Sequence, residues 1–220
     1  MNYFQLLKRL YDLYDRNAGK VVDYKFIVRQ VRNQIPFSEC KITGVRTLSV
    51  ATNSLEVAGQ YDPEADEFGI CPIQIEINFP KRKETFSFKE DDFSRIHWSE
   101  FCMDFMSILG HEFMHMNQFR RRNFRWTRAY KSSLNCPKKK EIQEYYGDAD
   151  EIDAYAFIAA ADLIVDCISY NKKTIYIERA RLYKTYIKYF DKQDPVVLKF
   201  VKLTKKYYKK LELQYHATTF

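Results

Sequence analysis

Two histidines and a glutamate in the stretch Leu109-Gly110-His111-Glu112-Phe113-Met114-His115-Met116 carry the clearest chemistry in this sequence. On a helix, residues four apart stand on one face about one turn from each other, so the imidazoles of His111 and His115 can reach one cation while Glu112 lies beside it. Imidazole suits zinc, bound zinc acidifies water, and a neighbouring carboxylate can take the proton released. With four His and 14 Glu among 220 residues, a random shuffle yields this H-E-x-x-H spacing about 0.005 times per chain. The pattern therefore supports a chemical reading as long as it falls on a helix.

A catalytic zinc usually takes three protein ligands and keeps a fourth position for water, so two histidines need a partner. The acids downstream stand in Gly147-Asp148-Ala149-Asp150-Glu151-Ile152-Asp153-Ala154-Tyr155-Ala156. Glu151 is the favoured ligand, with Asp150 and Asp153 as alternatives. Tyr155 shares the Glu151 face and could stabilise an oxyanion, although packing is the commoner role of such a tyrosine. His97 is read as structural.

His111-Glu112-x-x-His115 followed by Glu151-x-x-Ala154 on a later helix resembles the gluzincin arrangement of zincin metallopeptidases, over roughly residues 70–165. The resemblance implies that His111, His115 and Glu151 bind Zn2+, that Glu112 is the general base, and that the scaffold is zincin-like. The extended motif of the metzincins would need Gly at 118 and His at 121, which here are Gln118 and Arg121. A third histidine, as in SprT-type proteases, is met only at His216. Gluzincins often place Asp four residues after the ligand Glu, where this chain has Tyr155; Asp148 or Asp104 could take that orienting task.

The elements that must position these residues follow from periodicity. Tyr3, Leu6, Leu7, Leu10, Leu13 and Tyr14 predict a helix over 3–16, and Asp23 predicts the cap of a second one reaching about Gln34. Short β-branched runs at Val45–Val50, Ser54–Gln60 and Ile70–Phe79 read as strands joined at Ala51-Thr52-Asn53 and at Asp62-Pro63-Glu64-Ala65-Asp66. Ile73, Ile75 and Ile77 should face inward, and Gln74, Glu76 and Asn78 outward. The motif helix is expected from about Glu100, capped by Ser99, to Arg122. Residues 120–140 read as a basic, irregular stretch. An alanine-rich helix runs from Asp148 or Asp150 to Tyr170, and two basic amphipathic helices over about 172–190 and 195–213 are divided at Asp194-Pro195. The expected fold class is α+β, mostly helical, with a small antiparallel sheet preceding the motif helix.

At 46% hydrophobic and 16% aromatic, with six Gly and six Pro, the chain is rich enough in apolar side chains to build a core. Five cysteines, about thirty residues apart and never in C-x-x-C, argue against a disulfide framework or a cysteine-rich zinc knuckle. No stretch of 18 apolar residues and no secretory leader is visible, so a cytoplasmic protein without a membrane partner is expected, suited to a bacterium or a bacteriophage in its host. Formal charge is +7, yet residues 171–220 hold 13 Lys or Arg against four Asp or Glu, leaving the rest slightly acidic. The expected organisation is a metallopeptidase domain over 1–170 with a basic helical extension over 171–220.

The expected function is zinc-dependent hydrolysis of a protein or peptide substrate, with an edge strand such as 70–79 aligning the extended chain by main-chain pairing. An alternative reading has the basic helices of 171–220 bind nucleic acid or an acidic partner, with a structural or inactive zinc site. There the lysines would meet phosphates and Tyr176, Tyr183, Tyr186, Tyr189, Tyr207 and Tyr208 would stack on bases. The plainer expectation turns those lysines outward and the tyrosines inward.

Overall fold

The computed structural model describes residues 2–51, 54–90, 92–169 and 176–218, in two compact units, residues 1–116 and 117–220.

In the first unit, α1 (Tyr3–Asn17) starts where the Asn2 side chain accepts the Gln5 N–H at 3.1 Å. β1 (Val21–Asp23) leads into α2 (Tyr24–Arg32), capped as expected by Asp23, which accepts the Phe26 N–H at 2.7 Å. Strands β2 (Cys40–Thr47), β3 (Glu56–Tyr61) and β4 (Ile73–Pro80) form one sheet, and β5 (Thr85–Ser87) pairs antiparallel with β1 in a separate ribbon. The sheet corrects two expectations. It is mixed rather than antiparallel, because β4 pairs antiparallel with β3 but parallel with β2. Residues 70–79 also supply no edge strand, since β4 is central in the order β2-β4-β3. The physical reason is apolarity: Ile73, Ile75, Ile77 and Phe79 make β4 the strand best suited to burial, whereas β2 and β3 are more polar and each carries a glycine.

The inward and outward alternation of β4 is as expected, and Ile42 of β2 joins its buried face. The first predicted strand shifts from 45–50 to Cys40–Thr47, where all eight residues find partners from Ile73 to Pro80. Part of the predicted connection, Thr52-Asn53, lies outside the described residues. The predicted turn after β3 contains a short helix, α3 (Pro63–Glu67), because Asp62 caps it and Pro63 suits the first helical position.

The motif helix α4 spans Arg95–Arg121 and begins before the predicted start, because Ser94 rather than Ser99 caps it: its hydroxyl accepts the His97 N–H at 3.3 Å. Trp98, 1% exposed, ties α4 to α1 by donating its Nε1–H to the Leu10 carbonyl at 2.8 Å.

In the second unit, α5 (Pro137–Gly147) begins inside the 120–140 stretch expected to be irregular, and its start uses Pro137 where a helix needs no internal N–H bond. Gly147 ends it against the Tyr130 ring; a Cβ there would lie 2.5 Å from that ring. α6 (Ala149–Ser169) follows, with Ala154, Ala156, Ala159, Ala160 and Ala161 fully buried. A 3-10 turn at Ile177–Arg179, α7 (Arg181–Tyr189) and α8 (Pro195–Thr218) complete the unit. The expected helix start at 172, with the end of the alanine-rich helix at Tyr170, lies outside the described residues. α8 packs along α6 through Val197, Phe200, Thr204, Tyr208 and Leu211, whose three- and four-residue spacing is one helical stripe. Among the described residues no helix is long and apolar enough to cross a membrane.

Candidate metal centre

α4 is a single unbroken helix through the motif, so the condition set by the sequence is met. The His111 and His115 Nε2 atoms lie 2.9 Å apart, with ring centroids at 4.5 Å and planes at 83°. Two nitrogens bound tetrahedrally to one zinc at 2.0–2.1 Å would stand about 3.3 Å apart. The pair therefore needs to open by only a few tenths of an ångström to share an ion.

Packing fixes which way the helix faces. Leu109 and Met116 are buried, and Phe113 meets Phe37 edge to face with centroids 4.7 Å apart. β3 covers another side: a Cβ on Gly59 would sit 2.4 Å from Ile108 Cγ2 and 3.4 Å from Glu112 Cγ. The missing side chain lets the strand backbone approach the motif, and Glu112 is 8% exposed. Asp104, by contrast, is exposed on α4.

Glu151 stands in the first turn of α6, where Asp148 acts as cap by accepting the Asp150 N–H at 2.9 Å. Its two rivals as ligand are otherwise engaged. Asp150 receives both Arg122 guanidinium nitrogens, at 2.6 and 2.7 Å. Asp153 accepts from the Tyr207 hydroxyl at 2.7 Å and from Gln118 Nε2 at 3.2 Å. His111 and His115 stand on α4 in the first unit, and Glu151 stands on α6 in the second.

Sequence reasoning missed Tyr145, which lies on the unpredicted α5. Its hydroxyl is 3.1 Å from that of Tyr155; partial burial first, then the Tyr155 hydroxyl and the charge of Glu151, push its phenol far above the ordinary range. The only sequence clue was the aromatic pair Tyr145-Tyr146 just before the acidic segment. Tyr155, weighed as an oxyanion donor, has its hydroxyl in this pair. His97 stacks on Phe93, at 14° between ring planes, and bonds the Ser94 hydroxyl at 3.2 Å, a structural role as expected.

The tyrosines of the basic segment point mostly inward. Tyr186 is fully buried and stacks on Phe200 at 4.3 Å, Tyr189 stacks on Tyr146, and Tyr208 is buried on α8. Most of the rings that base stacking would use are therefore spent in packing.

Comparison of the chain with protein-family models, with curated proteins and with solved structures finds no match.

Proposed function

We propose that this chain is a zinc-dependent metallopeptidase in which His111, His115 and Glu151 hold the metal and Glu112 is the general base. The observation that carries this reading is the approach of the His111 and His115 Nε2 atoms to 2.9 Å on one helix, with Glu112 buried beside them. The gluzincin resemblance supports the same donor set, and the engagement of Asp150 by Arg122 and of Asp153 by Tyr207 favours Glu151 over its neighbours. Bound by these donors, zinc would supply Lewis acidity, polarising a scissile carbonyl and acidifying water.

Glu112 accepts a proton from the attacking water and returns it to the leaving amine, a task for a carboxylate held in one place. β3 lies at the sheet edge beside Glu112, so its outer main-chain groups can pair with an extended peptide. The test is metal content of wild type, His115→Ala and Glu151→Ala after zinc reconstitution, together with hydrolysis of labelled casein by wild type and Glu112→Gln. About one zinc per chain in the wild type, lost or weakened in both ligand variants, is expected. Glu112→Gln should keep its zinc and lose proteolysis. A wild type that binds no zinc, or casein hydrolysis unchanged in Glu112→Gln, overturns the proposal.

A further inference from the structure

The stretch from Arg121 to Lys131 follows α4 in the second unit and is built unlike an ordinary connection. Asn123 and Phe124 both adopt left-handed backbone, with φ of 50° and 60°, where side chains other than glycine are disfavoured. Such strain persists only where the surroundings over-determine it, and it concentrates at functional sites. Here the Phe124 N–H is held by the Phe119 carbonyl at 2.8 Å. The Arg122 Nε–H donates to the Arg125 carbonyl at 3.0 Å while its two Nη atoms grip Asp150.

The turn presents Trp126, 77% exposed and thus the opposite of Trp98. Its orientation is set by buried Phe119, which meets it edge to face with centroids 4.7 Å apart, and Phe119 is itself covered by the Arg122 guanidinium at 4.9 Å. An indole in this setting is a fixed plate. Arg121, Arg125, Arg128 and Lys131 are exposed around it in sequence, and the side chains of Arg125, Arg128 and Lys131 make no hydrogen bond or ion pair among the described residues.

We infer that this loop binds single-stranded nucleic acid, Trp126 stacking on a base while Arg125, Arg128 and Lys131 neutralise neighbouring phosphates. Stacking on an aromatic plate within a cationic surface is how unpaired strands are held without sequence preference. An acidic peptide would use the cations but leave the plate without purpose. An anionic lipid surface would call for several apolar side chains to insert, and Trp126 is the one large aromatic exposed on this turn. Trp126, Arg125, Arg128 and Lys131 are distinct from the residues of the basic helix α8, and the inference does not depend on the metal reading.

The test is binding of a fluorescein-labelled oligodeoxythymidylate of 20 nucleotides to the full chain at low and moderate salt. Wild type should bind with quenching of tryptophan fluorescence. Trp126→Ala should weaken binding roughly tenfold, Trp126→Phe should retain part of it, and Arg125→Ala and Arg128→Ala should each lower the salt slope by about one. Lys209→Gln with Lys210→Gln, exposed on α8, should change nothing. No binding to the wild type, equal binding by Trp126→Ala, loss confined to the α8 variant, or preference for phosphatidylserine vesicles or polyglutamate over the oligonucleotide would overturn the inference.

Discussion

Arg122 and Asp150 lie 28 positions apart in sequence and form a two-pronged ion pair, with Nη1 to Oδ1 at 2.6 Å and Nη2 to Oδ2 at 2.7 Å. The side chains are only 26% and 14% exposed, so the pair is shielded from solvent. It anchors the start of α6 and engages both carboxylate oxygens of Asp150, next to Glu151.

Asp150→Ala should therefore destabilise the fold by about 2–3 kcal/mol, the cost of removing charge-assisted bonds and stranding a guanidinium. Urea denaturation measures the loss, and zinc titration of the folded variant should show stoichiometry retained. Loss of zinc from folded Asp150→Ala, with Glu151→Ala still binding, would make Asp150 the ligand instead.

Gly59→Ala should cost about 1–3 kcal/mol, because the new methyl meets Ile108 at 2.4 Å and Ile75 at 2.8 Å in a packed layer. Separation of β3 from α4 would also move Glu112, so proteolysis should fall more than zinc binding does. A variant as stable and as active as the wild type would show that this close approach is unimportant.

Tyr145→Phe removes a hydroxyl that pairs with Tyr155 at 3.1 Å and is electrostatically coupled to Glu151. Partners that orient a ligand typically change metal affinity 10–100-fold, so zinc affinity measured against a competing chelator should drop about tenfold. The apo protein should melt close to the wild type. If wild-type affinity is retained, Tyr145 is a packing residue only.

Stability should decline on the alkaline side. Burial raises the Cys40 thiol from 9.0 to about 12, and burial also lifts the phenols of Tyr207 and Tyr208 above their ordinary 10.0. The unfolded chain thus gives up these protons at lower pH than the folded one. Their contribution is complete below about pH 9 and is lost as pH climbs from there toward 12. Urea midpoints at pH 8, 9.5 and 10.5 should fall in that order; a flat series would contradict the assignment.

Iodoacetamide at pH 8 should label exposed Cys136 first, while Cys102, fully buried and with its thiol pushed well up by burial, should resist. Peptide mapping against time distinguishes them, and equal labelling rates would mean that the core around Cys102 opens readily.

Local rules of the sequence determined a good deal of this protein. The side-chain alternation of β4, the cap at Asp23, the helical setting of His111 and His115, and the alanine-rich helix that carries Glu151 all depend on residues within a few positions of one another. That is the range over which periodicity and capping act. α4 starts before Ser99 because Ser94 and Ser99 are equally good caps in isolation, and the burial of Trp98 against Leu10 favours the earlier one. The sheet order, the engagement of Asp150 by Arg122 and of Asp153 by Tyr207, the pairing of the Tyr145 and Tyr155 hydroxyls, and the exposure of Trp126 beside buried Phe119 join or separate residues by packing rather than by spacing. Tertiary structure decided these, because burial and hydrogen-bond satisfaction depend on which distant groups compete for the same partner.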